Sequence, residues 1–215
     1  MIIQRVLKGI SNLSETDAKD ILKEGILCNW LQKSKKIPVD EVPKRLSDRN
    51  AEWHQEHYKD KDPDENGEEF YLHTPFISTT AGSVERQRAL SKNLRRPAWE
   101  IALKYATADW TANGYLFYCH VFIVGRPAVA LQNFSEELRE LHVYPRYSRH
   151  QVEGEILAKI IIPPAQIEKA EYWSLQEAND AVQNGKLPAP DPLRTLENDL
   201  FVKPEMYNNV RDFLS

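Results

Sequence analysis

Gln151-Val152-Glu153-Gly154-Glu155-Ile156-Leu157-Ala158-Lys159-Ile160-Ile161-Ile162-Pro163-Pro164 joins two acidic residues to an apolar, β-branched run that a double proline closes. Such a run predicts a strand over residues 155–162. Extended backbone alternates its side chains, so Glu153 and Glu155 fall on one face at the entrance of that strand. Two like charges that close are costly unless something cationic uses them, which makes the pair a candidate for chemistry. The other reading is structural: solvated edge charges that guard a hydrophobic strand against aggregation.

Working outward, a strand is expected at 168–174 and a short helix at 175–184. Residues 186–215 carry Pro188, Pro190, Pro192 and Pro204 and read as an extended proline-rich extension, wrapped on the domain or offered to a partner. Upstream, Tyr115 to Val124 is aromatic and β-branched, a strong strand that follows an Asn113-Gly114 turn. A strand is expected at 127–131, and a helix at 97–109 with Pro97 in its first turn and Trp99, Ala102, Leu103 and Ala106 as its apolar stripe. Residues 70–78 read as a strand with Pro75 marking an edge or bulge, and residues 59–69 as a charged, solvated loop whose acidic spacing does not match a calcium loop. A helix covers about 40–58. Ser14 caps a helix that ends at Gly25, and residues 2–7 form an opening strand. Helices lie mainly in the N-terminal half and strands in the C-terminal half. The class is therefore α+β, with one domain over residues 1–185.

The bulk numbers restrict the function classes. A 215-residue chain with 41% hydrophobic and 28% charged residues is of the globular rather than the disordered type. A net charge of -4 argues against a protein that wraps nucleic acid non-specifically, while leaving room for a local basic groove. Cys28 and Cys119 make no metal pattern, and two buried thiols in a reducing compartment are expected rather than a bridge. No signal peptide and no run long enough to span a bilayer is visible, so the expected location is cytoplasmic, without a membrane partner.

Three polar features sit on or beside predicted strands. Arg5 in the first strand offers a planar fork of donors suited to phosphate oxygens, or is a surface charge. Phe76-Ile77-Ser78-Thr79-Thr80 presents hydroxyls that can bond a carboxylate or a ribose, or simply end a strand. The third feature is the Glu153/Glu155 pair. In this order the three resemble the arginine–serine–glutamate class of ADP-ribosyltransferases, the cholera and pertussis toxin-like class. The likeness is greatest to the pertussis-type catalytic subunit, and it extends over residues 2–173. Ile3-Gln4-Arg5-Val6 resembles that family's NAD-binding arginine strand, Phe76-Ile77-Ser78-Thr79-Thr80 its serine motif, and Glu153-Gly154-Glu155 its glutamate motif. Leu7 stands where the family often has an acidic residue, and Glu153 where pertussis-like members have Gln.

The resemblance implies a split β-sheet core and mono-ADP-ribosyl transfer from NAD, which serves as co-substrate. It implies catalytic roles for Glu155, toward the ribose, and Glu153, toward the acceptor nucleophile. Arg5, Ser78 and Thr79 would bind the dinucleotide, with Ser78 holding Glu155 in place. A helix histidine, His54 or His57, is a candidate for the family's active-site histidine. Tyr144, Tyr147 and Arg149, beside Arg146 and His150, form a candidate acceptor-recognition loop over 141–152 that can stack on a base or meet a protein surface. Arg86, Arg88, Arg95 and Arg96 are candidates for phosphate contacts or for a solvated helix face. No metal site is expected. The class suggests a toxin or phage-defence effector with a protein, RNA or DNA acceptor and an antitoxin or inhibitor protein as partner. An NAD glycohydrolase and an inactive binding module on the same fold are the alternatives.

Overall fold

A computed structural model describes residues 2–35, 40–81, 98–123, 155–186, 188 and 194–203. The class is α+β. A mostly antiparallel six-stranded sheet runs in the order β5-β3-β1-β4-β7-β8, and a two-stranded sheet pairs β2 with β6. The strands are β1 (Ile2–Ser11), β2 (Ile26–Leu27), β3 (Phe76–Ala81), β4 (Gly114–Ile123), β5 (Glu155–Lys159), β6 (Ile161–Ile162), β7 (Ile167–Trp173) and β8 (Thr195–Glu197). Six α-helices are described: α1 (Glu15–Glu24), α2 (Asn29–Ser34), α3 (Val42–Arg45), α4 (Asp48–Glu56), α5 (Ala98–Ala106) and α6 (Leu175–Asn184). The chain forms two compact units. One has its described residues within Leu27–Ser78 and Ile123–Ile161, the other within Ile3–Ile26, Thr79–Phe122 and Ile162–Ser215.

In the second unit, local signals act where the sequence places them. Ser14 and Asp17 form a capping box at the start of α1, and Gly25 ends the helix at φ 94°. Ser174 and Glu177 do the same for α6, which ends at Gly185 in the left-handed region. Helices α5 and α6 bury Ala102, Leu103, Ala178 and Ala181 with Leu7, Leu116 and Trp173 of the sheet. Gly9 and Gly114 permit that packing. A Cβ on Gly9 would collide with the Ala102 carbonyl and the Ala106 amide, and one on Gly114 with the Ala106 carbonyl. The described part of the C-terminal extension is docked, not offered outward. β8 pairs with β7, the Arg194 guanidinium lies 3.8 Å from the Trp173 ring centroid, and Asn198 Nδ2 donates to the carbonyls of Pro164 and Ile167.

In the first unit several expectations are revised. The helix expected over 40–58 is two helices, α3 and α4, because Leu46 leaves the helical region and Ser47 starts a new N-cap that accepts from the Asn50 amide. Residues 70–78 are not one strand: a 3-10 turn, Phe70–Leu72, precedes β3, which begins only after Pro75. The run 155–162 breaks at Ile160, whose φ of 61° is strained for a β-branched residue. Its amide donates to the Pro75 carbonyl and its own carbonyl accepts from the Cys28 amide, which holds the break in place.

The charged segment 59–69 is compact rather than merely solvated. Lys61 and Glu69 form a β-bridge around a 3-10 turn, Pro63–Glu65. Asp62, 2% exposed, accepts from Arg49 Nη2 at 2.7 Å and from the Asp64 amide at 3.0 Å, and meets His73 Nε2 at 3.3 Å. Burial pushes the Asp62 carboxyl upward, but Arg49, the Asp64 amide and His73 together hold it below its ordinary range.

Two stability predictions follow from this packing. Gly9→Ala should cost about 3 kcal/mol, as overpacking against a helix backbone does, read as a fall in the urea midpoint. Asp62→Asn should cost about 2 kcal/mol at neutral pH through the unsatisfied Arg49–His73 side of the pair. Because the folded carboxyl is depressed, the stability it supplies is full above about pH 4 and fades as pH falls through its folded pKa, so wild type and variant should converge in acid.

Candidate active site

The first unit brings Glu155 and Ser78 onto one sheet face. On β3, Phe76 and Ser78 point to the same side, and on the neighbouring strand β5 so do Glu155 and Leu157. Phe76 and Leu157 pack with Ala51 of α4, so α4 covers that face. Burying these two large side chains is worth about 2 kcal/mol each, enough to fix where the helix lies. Ala51 and His54 recur at helical spacing and share the covered stripe, while Tyr58, just past the helix, is 37% exposed.

His54 is 5% exposed and bridges two hydroxyls. Its Nδ1 lies 2.7 Å from Thr74 Oγ1 and its Nε2 lies 2.7 Å from Ser78 Oγ. The ring also meets Tyr58 and Phe76 edge-on, at centroid distances of 5.2 and 5.9 Å. Burial raises the Tyr58 hydroxyl pKa, Asn29 pulls the other way, and the charges of Tyr71 and Glu155 add to the rise. Tyr58 therefore stays a neutral hydroxyl. Glu155 itself is only 9% exposed. A buried carboxylate on the sheet face that carries the Ser78 hydroxyl can bind sugar hydroxyls and stabilise developing positive charge. Among the described residues no group of three or more His, Cys, Asp or Glu is placed to hold a metal ion.

The structure sorts the expected residues unequally. Of the two candidate histidines, His54 faces Ser78, whereas His57 is the C-cap where the helix ends and is half-exposed, with its Nδ1 2.8 Å from Asp60. Ser78 Oγ is engaged by His54 rather than by Glu155. Thr79 is buried and, by strand alternation, faces away from the Ser78 side. Arg5 belongs to the second unit, where its Nη2 donates to Glu168 Oε2 at 2.9 Å and its guanidinium lies 5.1 Å from the Tyr118 ring centroid. Glu153, Tyr144, Arg146, Tyr147, Arg149 and His150 lie outside the described residues, as do Arg86, Arg88, Arg95, Arg96 and the strand expected at 127–131. Thr74 is the member that sequence reasoning missed. The only local signal for it is a hydroxyl immediately before Pro75, where a turn into the strand is favoured.

No family model matches the chain, and no curated protein matches it. Among solved structures the chain is similar to EcPltA, with a TM-score of 0.44 and 13% sequence identity, over 93% of this chain and 88% of that one. Both cysteines are free and buried, and no helix among the described residues is long and apolar enough to cross a membrane.

If Ser78 is the group that answers His54 Nε2, Ser78→Ala should destabilise the protein by about 1 kcal/mol, the cost of a part-buried imidazole nitrogen losing its bond. The check is a lowered urea midpoint with an unchanged slope.

Proposed function

We propose that this chain is a mono-ADP-ribosyltransferase that uses NAD as co-substrate and passes ADP-ribose to a macromolecular acceptor. The observation that carries the reading is the shared sheet face of Glu155 and Ser78, with His54 packed against Ser78. It joins the order of Arg5, Ser78 and Glu-x-Glu along the chain, which resembles the arginine–serine–glutamate transferases.

Cleavage of the bond between nicotinamide and ribose develops positive charge at the anomeric carbon, as in glycoside hydrolysis. Glu155 is the group whose charge opposes that development, and burial strengthens its effect because little water screens it. Ser78 and Tyr58 supply hydroxyls for the ribose, and His54 orients Ser78. Arg5 takes the diphosphate in this reading. Glu153 positions the acceptor nucleophile and accepts its proton. Tyr144, Tyr147 and Arg149 recognise the acceptor, a protein side chain or a nucleic-acid base. An effector of the toxin or phage-defence kind, restrained by an antitoxin or inhibitor protein, is the setting that fits such an enzyme.

The test is incubation of the purified protein with NAD labelled in its adenylate and a cell extract, followed by separate protease and nuclease digestion. Label on macromolecules, lost to one treatment only, supports transfer and names the acceptor class. Glu155→Gln should lower labelling by about 10²–10³-fold, the usual scale for one preorganised electrostatic group, while circular dichroism stays unchanged. Free ADP-ribose without macromolecular label would make the enzyme a glycohydrolase. Undiminished labelling by the variant would overturn the role given to Glu155.

A further inference from the structure

The geometry assigns Thr74 as a positioning residue: its hydroxyl sets the tautomer of His54 and so makes Ser78 a hydrogen-bond donor in the site. Thr74 is 1% exposed, and its Oγ1 has two neighbours. The Phe76 amide donates to it at 3.3 Å, and His54 Nδ1 lies 2.7 Å away. A hydroxyl has one proton to give. With the Phe76 amide already a donor, the only acceptor available to the Thr74 proton among the described residues is the lone pair of His54 Nδ1. The alternative tautomer, with a proton on Nδ1, would aim two donors at Thr74 Oγ1 and leave the hydroxyl proton buried without an acceptor, which native structures avoid.

His54 is then protonated at Nε2 and donates to Ser78 Oγ at 2.7 Å. Ser78 Oγ accepts that bond, so its own proton is free to be given onward. Ser78 is less buried than Thr74 and His54, and His54 is its one side-chain partner among the described residues. The Ser78 proton is therefore offered to an oxygen acceptor, either the ring or hydroxyl oxygen of a bound sugar or a carboxylate drawn in with it. The chain of polarity runs in one direction, from the Phe76 amide through Thr74 and His54 to Ser78. The reversed arrangement would consume the Ser78 proton on His54 and leave Ser78 an acceptor only.

The tautomer follows from the hydrogen-bond inventory alone, whereas its consequence for turnover rests on the transferase reading above. The two are separable by experiment. Nitrogen-15 spectra of imidazole-labelled protein at pH 8, with His54 assigned by loss of its signals in His54→Asn, report directly which ring nitrogen carries the proton. Wild type should show an unprotonated Nδ1 and a protonated Nε2. Thr74→Val, which keeps the shape and removes the hydroxyl, should lose this preference, and Thr74→Ser should restore it. In the labelled-NAD assay Thr74→Val should lower kcat about tenfold, with KM for NAD less affected, and Thr74→Ser should recover most of the loss. An Nδ1-protonated wild type overturns the proposal whatever happens to Thr74→Val, and so does a Thr74→Val protein with an unaltered tautomer. The expected spectra in a protein that does not turn over NAD would uphold the role of Thr74 and overturn the transferase reading instead.

Discussion

The buried imidazole of His54 has both ring nitrogens answered, and in the first unit those two bonds fix the placement of α4. His54 projects from the helix between Thr74 and Ser78, two hydroxyls on either side of Pro75 at the start of β3. Apolar packing of Ala51 on Phe76 and Leu157 brings the helix to the sheet, but such packing is non-directional and tolerates sliding. Hydrogen bonds at both ring nitrogens do not. The N-terminal part of the same helix is held separately. Ser47 caps it, and Arg49 reaches the buried Asp62 while its guanidinium covers the Trp53 ring at 4.5 Å. Both ends of the helix are thus pinned.

The sequence made the local structure legible where the signal itself was local. Helix α1 starts at the cap expected at Ser14 and α6 covers the expected 175–184, because each start is decided by residues within one turn of each other. The helix α2 was invisible for the same reason: its N-cap is Cys28, whose Sγ accepts from the Leu31 amide, and cysteine is not a residue that announces a helix start. The break at Ile160 ran against every local indication. Three consecutive isoleucines specify extended chain, and only the backbone bonds to Pro75 and Cys28, distant in sequence, impose the left-handed conformation. Asp62 is similar. Its segment reads as solvated until Arg49 and His73 converge on it.

The candidate site was legible as residue types and not as a network. Order along the chain singled out Ser78 and Glu155, and period-two alternation then explains why they share a face once β3 and β5 are neighbours. Alternation also separates Thr79 from Ser78, which adjacency in sequence had joined. The choice between His54 and His57 depends on where α4 ends, since His54 lies within the helix on the stripe of Ala51 and His57 is its C-cap. The partner of Ser78 was misread because a hydroxyl can bond any polar neighbour, and only the placed helix shows that the neighbour is an imidazole.

Arg5 poses the remaining physical question, since the residue proposed for a diphosphate is engaged by a carboxylate of its own unit. The register of β4 against β7 slips between Tyr118 and Cys119, pairing Tyr118 with Lys169 and Cys119 with Ile167. Glu168 is the residue left over in that bulge, which frees its side chain from the alternation and lets it reach Arg5. The pair is half-exposed on the arginine side, and ion pairs in that setting are worth about 1 kcal/mol or less. A diphosphate offers more charge and more acceptor oxygens than one carboxylate, so the role proposed for Arg5 requires only that a weak pair be displaced. Tyr118 keeps its place throughout, because its hydroxyl donates to Glu171 at 2.8 Å and Lys169 lies 4.7 Å from the ring centroid as Arg5 does at 5.1 Å. The ring thus holds the guanidinium independently of its carboxylate partner, and under the role proposed for Arg5 the ion pair would be the contact to give way.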